Sequence, residues 1–134
     1  MKAFKPILLC LFFFMALGTN IFAANQYVQS DVSIDVDFPV PYYYNLTATA
    51  YSNETARGSI DSLGVYLSVY KNMVHVVTRQ DYKSDGSRYA KKSYETTDGE
   101  SANWLVYSKA EVWYEDGTYY SDNQNTSRYV QPAN

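Results

Sequence analysis

The feature that most constrains the fold is a strict alternation of apolar and polar residues. In residues 31–38 (DVSIDVDF), every second residue is apolar and the residues between are Asp or Ser. Successive side chains of a β-strand point to opposite faces, so this pattern predicts a strand with one buried face. Similar patterns at 42–51, 63–69 and 74–77 predict further strands. Because no segment after residue 23 shows a sustained helical period, the sequence predicts an all-β protein.

Three Asp-Gly pairs divide the chain, at Asp85-Gly86, Asp98-Gly99 and Asp116-Gly117. Asp-Gly favours a two-residue hairpin turn, in which both central residues need positive φ. Many short strands separated by such turns are typical of a sandwich or small barrel. We expect one domain, residues 24–134, with the fold of a small antiparallel Ig-like β-sandwich of about seven strands.

The first residues have the order of a cleaved secretory signal peptide. Lys2 and Lys5 precede an apolar run at 7–18 (ILLCLFFFMALG), and small Ala23 offers a cleavage site. The run is shorter than the roughly 20 residues that a transmembrane helix needs. We therefore predict a signal peptide at 1–23, secretion to the extracellular medium, and a mature form without a transmembrane anchor.

Removal of this segment changes the composition. The only cysteine, Cys10, leaves with it, and a secreted small domain without cysteine fits a bacterial source better than an animal one. Without Lys2 and Lys5, nine of the 11 basic residues remain against 14 acidic ones, which gives a net charge of −5. A nucleic-acid-binding protein would normally carry a basic surface, so we expect no nucleic-acid partner.

The sequence holds few marks of catalysis. His75 is the only histidine, and no zinc, nucleophile or phosphate-loop motif is present. Asp31, Asp35 and Asp37 share one face of a predicted strand. Such a row of carboxylates is more often a solvated strand edge than a calcium site. We expect no enzyme activity, no metal and no cofactor.

The clearest candidate binding residues flank Asp116-Gly117. A two-residue turn there would place Trp113 opposite Tyr120 and Tyr114 opposite Tyr119. Both pairs cannot enter the same core, because neighbours along a strand alternate faces.

Parity decides which pair is exposed. Trp113 and Tyr107 lie on the same face of the predicted strand as Lys109 and Glu111. Trp104 lies on the other face, together with apolar residues. We expect Trp113, its partner Tyr120 and Tyr107 on the outer face. There they could form either a cross-strand clamp or a binding platform.

A second candidate surface is basic. Five basic residues surround Asp85-Gly86 on a predicted hairpin, in which Tyr82 would face Tyr89. These residues are Arg79, Lys83, Arg88, Lys91 and Lys92. Such a cluster could attract an anionic wall polymer or lipid headgroups.

The sequence therefore favours a secreted, non-catalytic binding protein that recognises a cell-surface component. The expected partner is a glycan, an anionic wall polymer or a protein, bound through the exposed aromatics and the basic hairpin. The alternative is a small antimicrobial or toxin-like protein of the bacteriocin type, which would act on a neighbouring cell envelope.

Overall fold

The computed structural model describes residues 26–134, which form seven antiparallel strands. The strands are β1 (Val28–Val40), β2 (Tyr43–Glu54), β3 (Ile60–Lys71), β4 (Val74–Lys83), β5 (Tyr89–Asp98), β6 (Ala102–Tyr114) and β7 (Tyr119–Val130). No helix occurs in this part of the chain, and the prediction of an all-β fold with about seven strands is confirmed. The predicted signal peptide, residues 1–23, lies outside the described residues.

The strands form two sheets that share one hydrophobic core. The three-stranded sheet has the order β1-β2-β5, and the four-stranded sheet has the order β4-β3-β6-β7. Alternate residues of the central strands β2, β3 and β6 are buried in this core, including Leu46, Leu67 and Val106. The apolar parity of these strands therefore sets which side of each sheet faces the other.

Two of the Asp-Gly pairs do not form hairpins, and the prediction that they do is wrong. Asp85-Gly86 connects β4 to β5, and Asp98-Gly99 connects β5 to β6, so the chain crosses between the sheets at both points. Tyr82 consequently lies opposite Gly64 of β3, and Tyr89 lies opposite Asn53 of β2. An Asp-Gly dipeptide favours local reversal of the chain, but packing of the apolar residues in the core determines which strands are hydrogen-bonded to each other.

Asp116-Gly117 does join two paired strands, but its loop is one residue longer than predicted. Tyr114 N donates to Thr118 O at 2.9 Å, and Gly117 N donates to Tyr114 O at 2.9 Å. Within residues 115–117, the three residues of this loop, only Gly117 has a positive φ, of 86°, as expected for a type I turn followed by a left-handed residue. The Asp116 carboxylate accepts hydrogen bonds from Thr118 N and Oγ1, which stabilises this loop.

The longer loop shifts the register of the hairpin by one residue. Trp113 lies opposite Tyr119, and Val112 lies opposite Tyr120. The predicted pairing of Trp113 with Tyr120 is therefore wrong.

Candidate ligand-binding surface

Four aromatic side chains form a continuous cluster on the outer face of the four-stranded sheet. Tyr66 of β3, Tyr82 of β4, Trp113 of β6 and Tyr119 of β7 come from all four strands. Ring centroids are 5.8 Å apart for Tyr66 and Tyr82, and 5.9 Å apart for Tyr82 and Trp113. The centroids of Trp113 and Tyr119 are 5.0 Å apart. We call these four residues the aromatic platform.

Gly64 allows the platform to lie close to the sheet. It sits in β3 between Tyr82 on β4 and Glu111 on β6. A Cβ atom at this position would lie 2.9 Å from Tyr82 Cε1 and 3.5 Å from the Trp113 ring. The missing side chain therefore leaves the space that the Tyr82 ring occupies, while Trp113 lies at ordinary contact distance.

A charged pair borders the platform. Lys109 forms an ion pair with Glu111, whose side chain is buried, and Tyr119 Oη donates to Glu111 Oε1 at 2.8 Å. Lys109 Nζ also lies 5.6 Å from the centre of the Tyr66 ring. The hydrogen bond to Glu111 raises the pKa of Lys109, although desolvation opposes this. The pair is neutral as a unit, and its Lys109 member is partly exposed to a ligand.

A shallow groove of about 570 Å³ extends the surface beyond the platform. Tyr66, Tyr107 and Lys109 line it together with the side-chain amides of Asn123 and Asn125. It thus combines aromatic walls with groups that can both donate and accept hydrogen bonds.

Tyr107 is itself held by a second aromatic contact. The Tyr70 and Tyr107 rings meet edge to face with centroids 5.7 Å apart. On its other side Tyr70 contacts His75, whose Nε2 lies 2.8 Å from Thr78 Oγ1. The only histidine thus packs within the sheet surface.

The three aromatic residues that we predicted as binding residues do not share one face of the sheet. Trp113 and Tyr107 lie on the outer face, as their parity predicted, and their role in binding stays a prediction. Tyr120 does not lie there, because the register shift turns it towards the core side. Its ring stacks on Tyr27, with centroids 3.7 Å apart and planes 13° apart. Tyr119 takes the position beside Trp113 that we expected for Tyr120.

The predicted basic hairpin does not exist, because β4 and β5 belong to different sheets. Arg79 Nη1 donates to Ser93 O at 2.9 Å, and its guanidinium lies 5.3 Å from the centre of the Tyr94 ring. Lys83 forms an ion pair with Asp81 at 3.4 Å.

The other three basic residues are also dispersed. Lys91 lies opposite Tyr51 and Lys92 opposite Ala50, so their side chains point to opposite faces of the three-stranded sheet. Arg88 forms an ion pair with the buried carboxylate of Glu54. The five predicted residues therefore do not form one cationic surface.

The Glu54 carboxylate links the β2–β3 connection to the core. Tyr114 Oη donates to Glu54 Oε1 at 2.7 Å, the Gly58 amide donates to the same atom at 3.3 Å, and Arg88 pairs with Oε2. Burial raises the pKa of Glu54, but these hydrogen bonds lower it by more than burial raises it. The resulting pKa is below the usual 4.5. We assign Arg88 a structural role.

Sequence reasoning missed Gly64, Tyr66 and Tyr119 as parts of the site, and it placed Tyr82 opposite Tyr89 instead of beside Gly64. A signal was present, because Gly64 and Tyr66 alternate with the buried residues Leu63, Val65 and Leu67. The order of strands in the sheet, which brings Tyr82 and Trp113 to the two sides of Gly64, was not available from parity.

No protein-family model, curated protein or solved structure matches this chain. Across residues 26–134, no three His, Cys, Asp or Glu side chains are grouped so that they could hold a metal ion. The same range contains no helix of the length and apolarity needed to cross a membrane.

Proposed function

We propose that this protein is a secreted, non-catalytic binding protein that recognises a neutral glycan of a cell surface through the aromatic platform. The observation that carries the proposal is the continuous cluster of Tyr66, Tyr82, Trp113 and Tyr119 on one open sheet face. Exposed apolar surface of this kind often marks a binding site.

The chemistry of the surface suits a sugar chain. One face of a pyranose ring presents C–H groups, which pack against aromatic rings, while its hydroxyl groups need hydrogen-bond partners. Lys109, Asn123 and Asn125 offer such partners next to Tyr66 and Tyr107. Aromatic contact surface with a few placed polar groups is the usual composition of a ligand site.

The distribution of charge favours a neutral glycan over an anionic wall polymer. The basic residue beside the platform, Lys109, is neutralised by Glu111. Arg79, Lys83 and Arg88 are engaged elsewhere in the protein. An anionic polymer would need a concentrated positive field, which this surface does not offer.

The strand order supports assignment to the Ig-like β-sandwiches as part of the same proposal. One sheet has the order β1-β2-β5, and the other places β4 at the edge of β3-β6-β7. Ig-like domains divide seven strands between two sheets with Greek-key crossings, and they are frequent in cell-surface recognition. The apolar run after Lys2 and Lys5 supports secretion.

Binding to purified cell walls and to a panel of neutral oligosaccharides tests the proposal. We expect Trp113→Ala to weaken binding by about tenfold or more, since it removes the central ring. Gly64→Ala should also weaken it, because the new Cβ displaces Tyr82. Tyr89→Ala, an exposed ring of the other sheet, is the matched control and should bind like the parent.

Salt dependence distinguishes the ligand classes. Binding to a neutral glycan should change little with ionic strength, whereas binding to an anionic polymer should weaken strongly. Equal binding by the parent and Trp113→Ala would refute the proposal.

A further inference from the structure

One end of the molecule is unusually apolar. The β1–β2 and β3–β4 turns both lie at this end and present large, strongly exposed apolar side chains. We define the apolar end as Phe38, Val40, Tyr42, Tyr43, Met73 and Val74. Met73, at the apex of the β3–β4 turn, is 81% exposed, and Val74 is 67% exposed.

The β5–β6 connection holds the two turns at the same end. A Cβ on Gly99 would lie only 3.0 Å from Tyr43 Cε1, so the first turn packs directly on this connection. Lys71, at the end of β3, forms an ion pair with Asp98 at 2.6 Å. Asn72 N donates to Asn103 O at 2.8 Å, which fixes the second turn. Both turns are therefore anchored at the same end of the molecule, and we call them the two tips of the apolar end.

The backbone of both tips has a conformation that is unfavourable for the residues it contains. Asn72 and Met73 have φ values of 49° and 66°, and Tyr42 has a φ of 68°. Asn tolerates this left-handed region, but it is unfavourable for a bulky residue such as Met or Tyr, and glycine would suit it better. An exposed Met73 in this conformation contributes little to packing. Strained backbone that supports exposed apolar groups points to a contact outside the chain.

We propose that the apolar end inserts into the headgroup region of a net-neutral phospholipid bilayer. This contact is separate from the proposed glycan site, which lies on the sheet face. Neither 38–43 (FPVPYY) nor 72–74 (NMV) contains a charged residue, so neither tip would carry an ion into the lipid. Behind them, Lys71 forms ion pairs with Asp98 and Glu100, and this group of one basic and two acidic side chains has a net charge of −1.

The chemistry of the tips favours lipid over a protein partner. Tyr42 and Tyr43 flank the apolar residues, and amphipathic aromatic rings are enriched at membrane interfaces. The absence of a free basic group in either tip favours neutral over anionic headgroups.

Flotation with phosphatidylcholine vesicles tests this inference on protein that is expressed from the full-length chain and recovered from the medium. The key variant is Met73→Gly, which removes the apolar side chain and relieves the unfavourable φ. We expect its vesicle partition coefficient to fall about tenfold, because Met73 would otherwise be buried in lipid. Its thermal midpoint should stay equal or rise, which shows that the variant is folded.

Tyr89→Ser, an exposed aromatic residue at the opposite end, is the control and should partition like the parent. Addition of phosphatidylserine to the vesicles should not strengthen binding. The inference is overturned if the parent does not float with the vesicles, or if Met73→Gly floats equally well. It is also overturned if Met73→Gly instead dissociates a dimer seen by sedimentation, since a second copy would then cover this end.

Discussion

Trp104 and Trp113 occupy opposite faces of the same strand. Trp104 is 2% exposed, and its Nε1 donates to Tyr44 Oη at 2.9 Å. Trp113 is half-buried and contacts Tyr82 and Tyr119 on the outer face. We expect Trp104→Ala to lower the free energy of unfolding by about 3–5 kcal/mol, because it leaves a cavity and removes the hydrogen bond that Tyr44 Oη accepts. Trp113→Ala should lower it by only about 1–2 kcal/mol. Denaturant melts check this contrast, and equal losses would contradict it.

Glu54 gives a pH-dependent contribution to stability. Burial raises its pKa, but the hydrogen bonds from Tyr114 and Arg88 bring the folded-state value below the usual 4.5. A carboxylate with a lowered folded pKa stabilises the protein above its unfolded pKa, and this contribution is lost as the pH falls through the folded value. The free energy of unfolding should therefore decrease as the pH is lowered from about 5 to about 3.

Glu54→Gln isolates this contribution. The variant should be less stable than the parent at neutral pH, by about 1–3 kcal/mol, and should lose less stability on acidification. Urea melts across this pH range measure both effects. Glu115→Gln, at the exposed β6–β7 turn, is the control. A Glu54→Gln variant with the same pH slope as the parent would show that Glu54 does not contribute as proposed.

At the scale of the elements, the β6–β7 hairpin depends on one left-handed residue. Gly117 has a φ of 86° and nothing within 4 Å of a Cβ placed on it, so a substitution there tests conformation without a clash. Gly117→Ala should cost about 1–2 kcal/mol, and Gly117→Asn should cost clearly less, because Asn tolerates this region. Thermal or denaturant melts compare the two. Equal stability of the Ala variant and the parent would argue against the three-residue loop.

The same hairpin shows how far the sequence predicts the site. Parity within β6 correctly placed Trp104 inside and Trp113 outside, because alternation is a local property of a strand. The partner of Trp113 was predicted wrongly, since the register depends on whether the turn uses two residues or three. Asp-Gly is compatible with both, and only the hydrogen bonds of Tyr114 decide between them.

The pairing of strands that are distant in the sequence was harder to predict than the register of a hairpin. The sequence favoured β4 and β5 as a hairpin, but β4 pairs with β3 and β5 pairs with β2. Val77 of β4 and Ala90 of β5 pack into the shared core from opposite sheets, and local turn chemistry does not encode that choice. The predicted basic hairpin does not form for this reason. The aromatic platform also depends on the strand order β4-β3-β6-β7, which local patterns do not encode.

The whole molecule presents two separate candidate surfaces. The aromatic platform lies on the outer face of the four-stranded sheet, and the apolar end lies where the β1–β2 and β3–β4 turns meet. A protein with both could hold a glycan on its sheet face while its tips contact lipid. Contact with an envelope would also suit the toxin-like alternative, so the glycan site is the feature that distinguishes the proposed function.

Nuclear magnetic resonance of the two tryptophan indoles tests that site most directly. The chain has two Trp residues, so a ¹⁵N-labelled sample should give two indole N–H signals, assigned with a Trp113→Phe variant. The account predicts that titration with a neutral oligosaccharide from the cell wall shifts the Trp113 signal saturably. The Trp104 signal should stay in place, because that indole is buried against Tyr44. Saturable binding that leaves the Trp113 signal unmoved would contradict the account.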